Sequence, residues 1–269
     1  MNQLFQGCLL ATDLDGTLLD TRKNISEENK KAVKEFESMG GLFTVATGRA
    51  IRSAQCYIDE MKVNAPVILQ NGIMLYDFRT GEILWQTFIT PEVKGLLADI
   101  LKAFPKVAAE VYAEGEQYYV LQNNPSMDDH VRIEFSNPAY CSMEDIPDRL
   151  YKVLLVAESE EIDRVVEYLA GKEATDIDFV RSTEHYYEFL PRGMSKGNAL
   201  KKLAEVYGIP MGKTFAIGDY YNDEAMIRMA GAGAATGNAP EDLRQAADYV
   251  TQSCDHSAVA EFINYLVNR

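Results

Sequence analysis

The chain contains no C-x-x-C pair, no extended basic stretch and no run near the roughly 18 apolar residues that a membrane span requires. Its four cysteines, Cys8, Cys56, Cys141 and Cys254, lie far apart, which argues against a zinc knuckle or a disulfide framework. Reduced, packing thiols in a cytoplasm are the expectation. The segment before Asp13 lacks a basic region and its apolar stretch is cut short by that aspartate, so a secretory signal is not expected. The three histidines, His130, His185 and His256, share no metal-ligand spacing and read as solvated or locally hydrogen-bonded. No P-loop occurs, and "GAGAATG" spaces its glycines wrongly for a dinucleotide fingerprint, so it reads as a packed strand and turn.

Basic residues are scarce relative to acidic ones: 26 Lys and Arg face 41 Asp and Glu, a formal charge of −15. That charge repels polyanions, which excludes nucleic acid as an expected partner; no membrane partner is expected either. With 47% hydrophobic and 25% charged residues the composition is that of a globular protein. A length of 269 residues suits two unequal domains.

Short apolar runs alternate with amphipathic stretches at both ends of the sequence, the pattern of parallel strands joined by crossover helices. "CLLAT" precedes a helix that Ser26 can cap and that carries Val33, Phe36 and Met39. "LFTVA", a helix over 50–61 and "VILQ" follow, ending at the turn signal Asn71-Gly72. The middle differs: a hairpin about Thr80-Gly81, a helix from Thr90-Pro91-Glu92, then "KVAAEVY", "QYYVLQ", "KVLLVA", "DIDFV" and "YYEFLP" suggest a largely antiparallel sheet. The βα rhythm returns with a helix over 196–207 and the strand "TFAIGD". The expected fold class is α/β: a Rossmann-like parallel sheet with helices on both faces, formed by 1–82 and 190–269, interrupted by an α+β insert over 83–189.

In an open α/β sheet, ligands bind beyond the carboxyl ends of the strands. Four sets of polar residues fall there: Asp13 and Asp15; Thr47, Gly48 and Arg49; Ser195 and Lys196; and Asp219, Asn222 and Asp223. Should these carboxylates converge, two like charges at 4 Å repel by about 4 kcal/mol at an effective dielectric near 20. Protons or a cation must relieve that repulsion, and all-oxygen donors favour magnesium over zinc. A carboxylate nucleophile, a lysine, a hydroxyl and a divalent ion together make a phosphoryl-transfer site. Lys196 supplies a cation, Thr47 a hydroxyl, and Leu14 and Gly48 offer backbone N–H groups to phosphoryl oxygens.

"DLDGTLL", "ATGR", "GMSKGNAL" and "GDYYND" resemble, in order, the four motifs of the haloacid dehalogenase-like phosphatases, and "TGNAPEDLRQAADYVT" is similar to the Cof-type branch, which has a large inserted cap of type C2. The resemblance implies that Asp13 is the nucleophile, Asp15 the general acid/base, and Thr47 and Lys196 phosphate ligands. It implies that Asp13, the Asp15 carbonyl and Asp219 hold Mg2+, that Asn222 lies on the phosphate side, and that Asp223 orients Lys196 or a metal-bound water. Two departures stand out: Tyr220-Tyr221 replaces the glycine common after the fourth-motif aspartate, and "CDHSAVA" replaces the usual acidic-Gly-Val element. The implied activity is hydrolysis of small phosphate monoesters, sugar phosphates first, by a monomer or weak homodimer. A phosphomutase with the same intermediate and a non-catalytic phosphate sensor are the rivals; Asp15 argues against the sensor. Arg49, with Arg181, His185 and Tyr187 of the insert, are candidate substrate contacts.

Overall fold

The computed structural model describes residues 3–133, 137–170 and 176–269. The first portion comprises β1 (Leu9–Thr12), α1 (Glu27–Ser38), β2 (Leu42–Val45), α2 (Ile51–Met61), β3 (Val67–Leu69), β4 (Met74–Asp77) and β5 (Glu82–Gln86). The middle comprises α3 (Val93–Ala103), β6 (Ala108–Ala113), β7 (Gln117–Gln122), α4 (Pro125–Ile133), β8 (Ala139–Tyr140), β9 (Leu150–Val156), α5 (Ser159–Leu169), β10 (Ile177–Arg181) and β11 (Tyr186–Pro191). The last portion comprises α6 (Lys196–Val206), β12 (Thr214–Gly218), α7 (Glu224–Met229), β13 (Ala232–Ala235), α8 (Glu241–Ala246), β14 (Tyr249–Val250) and α9 (Ala258–Val267). These elements form two compact units. One is Met1–Gly48 with Ala54–Trp85 and Ser195–Arg269; the other is Gln86–Met194 with Arg49–Ser53.

In the first unit a parallel sheet runs in the order β14-β13-β12-β1-β2. A parallel bridge between Ala46 and Ile68 brings β3 beside β2. The chain therefore leaves β1 toward one edge and returns at β12 toward the other, which makes the carboxyl ends of β1 and β12 the topological switch point. Leu9, Leu10, Ala11 and Thr12 are all fully buried, because layers cover both sheet faces. Leu9, Ala11 and Ala216 pack with Leu200 and Leu203 of α6 on one face. On the other, Phe215 meets the Phe36 ring of α1, and α1 packs along α9. Ser26 caps α1 by accepting a hydrogen bond from Asn29 N–H at 3.1 Å, and Glu27 and Glu28 in the first turn complement the helix dipole.

The second unit is a six-stranded sheet in the order β10-β11-β9-β6-β7-β8, antiparallel except for the parallel β7–β8 pair. Side chains alternate across such a sheet. Val111, Val153, Leu155 and Phe189 join Leu97 and Ile100 of α3 and Ile162 and Val165 of α5 in one core. The alternate positions hold Glu110, Lys152 and Glu188, all buried. There Lys152 donates to Glu188 at 2.9 Å, and His130 of α4 lies 3.0 Å from both Glu110 Oε2 and the Tyr112 hydroxyl.

Two of the insert residues expected to contact substrate have partners within the second unit. Tyr187 is part of the second unit's apolar core, stacked near Phe179. Arg181, its cross-strand partner, is held by Asp163 at 2.6 Å and Ser159 at 2.9 Å. Strand register places both on the side that α5 covers. His185 Nδ1 lies 3.3 Å from the Ala157 carbonyl oxygen. Helix α4 is not among the expected elements, although Asn124 accepts from Met127 N–H at 2.8 Å and Pro125 opens the helix, a legible start signal. Among the described residues no helix is long and apolar enough to cross a membrane.

Candidate active site

Asp13 directly follows β1, and its N–H donates to the Ile217 carbonyl of β12 at 2.9 Å, which fixes the residue at the switch point. Leu14 turns back into the fold and is fully buried. Hydrogen bonds from Leu18 N–H to Asp13 O and from Leu19 N–H to Leu14 O close the loop that follows. Gly16 sits in that loop at φ +84°, and a Cβ there would overlap the Asp219 carboxylate. Glycine is required on both counts.

Lys196, the first residue of α6, is 1% exposed, and its ammonium lies 2.6 Å from Oδ1 of Asp13 and 2.6 Å from Oδ1 of Asp223. Asp223 also accepts from the N–H groups of Asp219 and Tyr220 at 2.9 and 3.1 Å through Oδ2. Its side chain therefore reaches backward across the loop and makes no capping bond to α7, contrary to the capping role its position suggests. A Cβ on Gly218 would collide with Asp223, so that glycine admits the close approach. Asp219 accepts from the Thr17 hydroxyl at 3.1 Å.

The other expected residues divide into three groups. Thr47 is buried at the end of β2, where its N–H donates to Ile68 O and its carbonyl accepts from Asn71 N–H, both at 2.9 Å. Gly48 lies against the Asn71 side chain, and Asn222 donates to Asn71 Oδ1 at 3.0 Å. Asp15 is set apart from the buried carboxylates, its Oδ1 2.7 Å from Lys23 Nζ at a partly exposed position. Arg49 falls in the second unit, buried, with its guanidinium donating to Ser53 O at 3.2 Å.

Oxygens of Asp13, Asp219 and Asp223 lie within 4.8 Å of one another. Burial pushes Asp13 up to about 7; Lys196 counters the shift, while Asp223 and Asp15 add to it. Burial raises Asp219 to about 9, reinforced by the charges of Asp13 and Asp223. Burial disfavours the charged form of Lys196, but Asp13 and Asp223 outweigh that effect and hold it above the ordinary lysine range. The raised carboxyls report burial first and the crowding of like charges second. A hard divalent cation fits this all-oxygen donor set. Since Asp223 already accepts from Lys196 and two backbone N–H groups, Asp13 and Asp219 are the side chains best placed to bind one.

Residues 10–263 match the model of the family described as haloacid dehalogenase-like hydrolases. The chain belongs to this family. It is therefore an enzyme, a hydrolase, and its fold agrees with solved members. A haloacid dehalogenase-like hydrolase from B. subtilis superposes with a TM-score of 0.84 at 30% identity, covering 96% of this chain and 99% of that one. One from Bacteroides thetaiotaomicron gives a TM-score of 0.84 at 26% identity, with the same coverage. Among characterised relatives, the 5-amino-6-(5-phospho-D-ribitylamino)uracil phosphatase YwtE of Bacillus subtilis (strain 168) is 31% identical over 286 residues, covering 96% of this chain and 98% of the relative.

Sequence reasoning passes over four residues of this hydrolase. Thr17 contacts Asp219; Lys23 pairs with Asp15; Asn71 accepts from Asn222; and Asn238 donates to Gly16 O at 2.9 Å while accepting from Cys254 N–H. Asn71 and Asn238 are recognisable in the sequence only as turn residues. Their partners lie 151 and 222 positions away, beyond the reach of any local spacing rule.

Proposed function

We propose that this hydrolase is a magnesium-dependent phosphatase that cleaves small phosphate monoesters through an aspartyl phosphate on Asp13. The observation that carries the reading is the buried ammonium of Lys196 shared between Asp13 and Asp223, beside Asp219. One oxygen of Asp13 is thereby oriented by Lys196 while the other remains available for attack on phosphorus.

In the proposed cycle Asp13 bonds to phosphorus, and the ester oxygen departs with a proton from Asp15. Water then attacks the aspartyl phosphate, giving its proton to Asp15 and releasing inorganic phosphate, which restores Asp13. Lys196, the Thr47 hydroxyl, the N–H groups of Leu14 and Gly48, and Asn222 contact phosphoryl oxygens, where charge accumulates. Asp223 fixes Lys196. Mg2+, held by Asp13, Asp219 and the Asp15 carbonyl, would offset the phosphoryl charge when bound.

Sugar and polyol phosphates are the proposed substrate class. Two relatives, YitU at 29% and YwtE at 31% identity, are named as 5-amino-6-(5-phospho-D-ribitylamino)uracil phosphatases, and that phosphate is carried on a ribityl chain. A monomer or weak homodimer in the cytoplasm is the proposed setting, which suits four free cysteines.

The test is a phosphate-release screen over a panel of monoesters, with magnesium and with chelator, followed by acid quench with labelled substrate. Magnesium-dependent release and label retained on protein are expected. No release from any ester would overturn the assignment, and turnover without protein-bound label would overturn the covalent step.

A further inference from the structure

We infer that Asn71 is a positioning residue that holds Asn222 in place for phosphate, an inference that rests on the phosphatase reading above. The backbone from Gln70 to Gly72 is left-handed at three consecutive residues, with φ of 51°, 58° and 102°. The conformation is unfavourable for Gln70, more tolerable for an asparagine, and persists at consecutive residues only where surrounding structure imposes it. A second cost sits beside it: Gln70 Oε1 is buried and meets no hydrogen-bond partner among the described residues. Neither cost is needed to end a strand.

What the left-handed corner achieves is a junction. The N–H of Asn71 donates to Thr47 O at 2.9 Å, fixing the end of β2. Its side-chain Oδ1 accepts from Asn222 Nδ2 at 3.0 Å, fixing the loop after β12. Gly72 packs so closely on the Ser195 carbonyl, the N-cap of α6, that a Cβ would overlap it. One corner thus touches the three segments that bear Thr47, Lys196 and Asn222. An extended backbone at Asn71 would not direct its amide and its N–H to those partners together. The backbone bond anchors Thr47, and the side chain orients Asn222.

Asn71→Gly separates side chain from backbone, because glycine adopts the left-handed conformation without strain. The experiment titrates inorganic phosphate into the magnesium-loaded full chain by calorimetry for wild type, Asn71→Gly, Asn222→Ala and the double variant. KM, kcat and melting temperature are measured alongside. Asn71→Gly is expected to melt within about 3 °C of wild type, to bind phosphate about tenfold more weakly and to raise KM more than it lowers kcat. The double variant is expected to bind no more weakly than the poorer single one, since both remove the same contact. An Asn71→Gly enzyme whose phosphate affinity and KM stay within about twofold of wild type would overturn the inference and leave the phosphatase reading standing; so would additive losses in the double variant. A wild-type protein that neither hydrolyses esters nor binds phosphate would remove the functional reading, and the inference with it.

Discussion

The Lys196 ammonium lies 2.6 Å from Asp13 Oδ1, joining residues 183 positions apart, and both are buried. Charges withdrawn from water in this way are costly unless paired. Here the lysine is shared with Asp223, and three carboxylates crowd one cation. The site is short of positive charge, which the proposed divalent cation would supply, and this sets the first two expectations.

Asp13→Asn keeps the size of the side chain but removes the proposed nucleophile. Lys196 stays anchored by Asp223, so circular dichroism should match wild type. Phosphate release should fall by about 10⁴-fold or more, and the acid-quenched label should vanish. Turnover near wild type in this variant would disprove attack by Asp13.

Removal of metal should make stability pH-dependent in a defined direction. Unfolded aspartates ionise near pH 3.9, whereas in the fold Asp13 and Asp219 are raised to about 7 and about 9. Between those limits the native state holds more protons than the unfolded chain, so stability from these groups falls as pH rises. The proposed divalent cation would replace the protons. Melting curves with chelator should therefore show a decline from about pH 5 to about pH 9, and the magnesium-induced rise in melting temperature should be larger at the alkaline end. An equal rise at both ends would refute the coupling.

Gly16→Ala places a methyl group against the Asp219 carboxylate at a backbone φ of +84°. Destabilisation of about 1–3 kcal/mol is expected, together with loss of most of the magnesium-induced stabilisation, because Asp219 must shift. Thermal melts with and without magnesium measure both effects.

In the second unit, Lys152→Met should cost about 3–5 kcal/mol in urea denaturation. It removes the 2.9 Å partner of buried Glu188 and a cation 4.5 Å above the Tyr112 ring. Adding Glu188→Leu should recover at least half of the loss, since apolar replacement of a whole buried pair is far less damaging than breaking it.

Much of the first unit is legible in the amino-acid sequence. Strands buried on both faces must be continuous apolar runs, so "CLLAT" and "TFAIG" mark themselves, and the polar residues after them mark the ligand-binding end of the sheet. The four sets of polar residues follow from that placement, and their individual roles from the family resemblance alone. Less is legible in the insert: alternation shows that an antiparallel strand has two faces but not which face is covered, so the pattern alone does not show that Tyr187 joins the apolar core or that Arg181 pairs with Asp163.

Composition, strand periodicity and local spacing determined the α/β class, the expected chemistry of clustered aspartates, and the side chains that could carry it. Tertiary structure alone decided the pairings: Lys196 between Asp13 and Asp223, Asp15 turned to Lys23, and Asn222 resting on Asn71. The physical reason is range. Periodicity and capping act over a few residues, whereas contacts between strand ends depend on sheet order and on loops whose close approaches, as at Gly16 and Gly218, are fixed only when the layers pack.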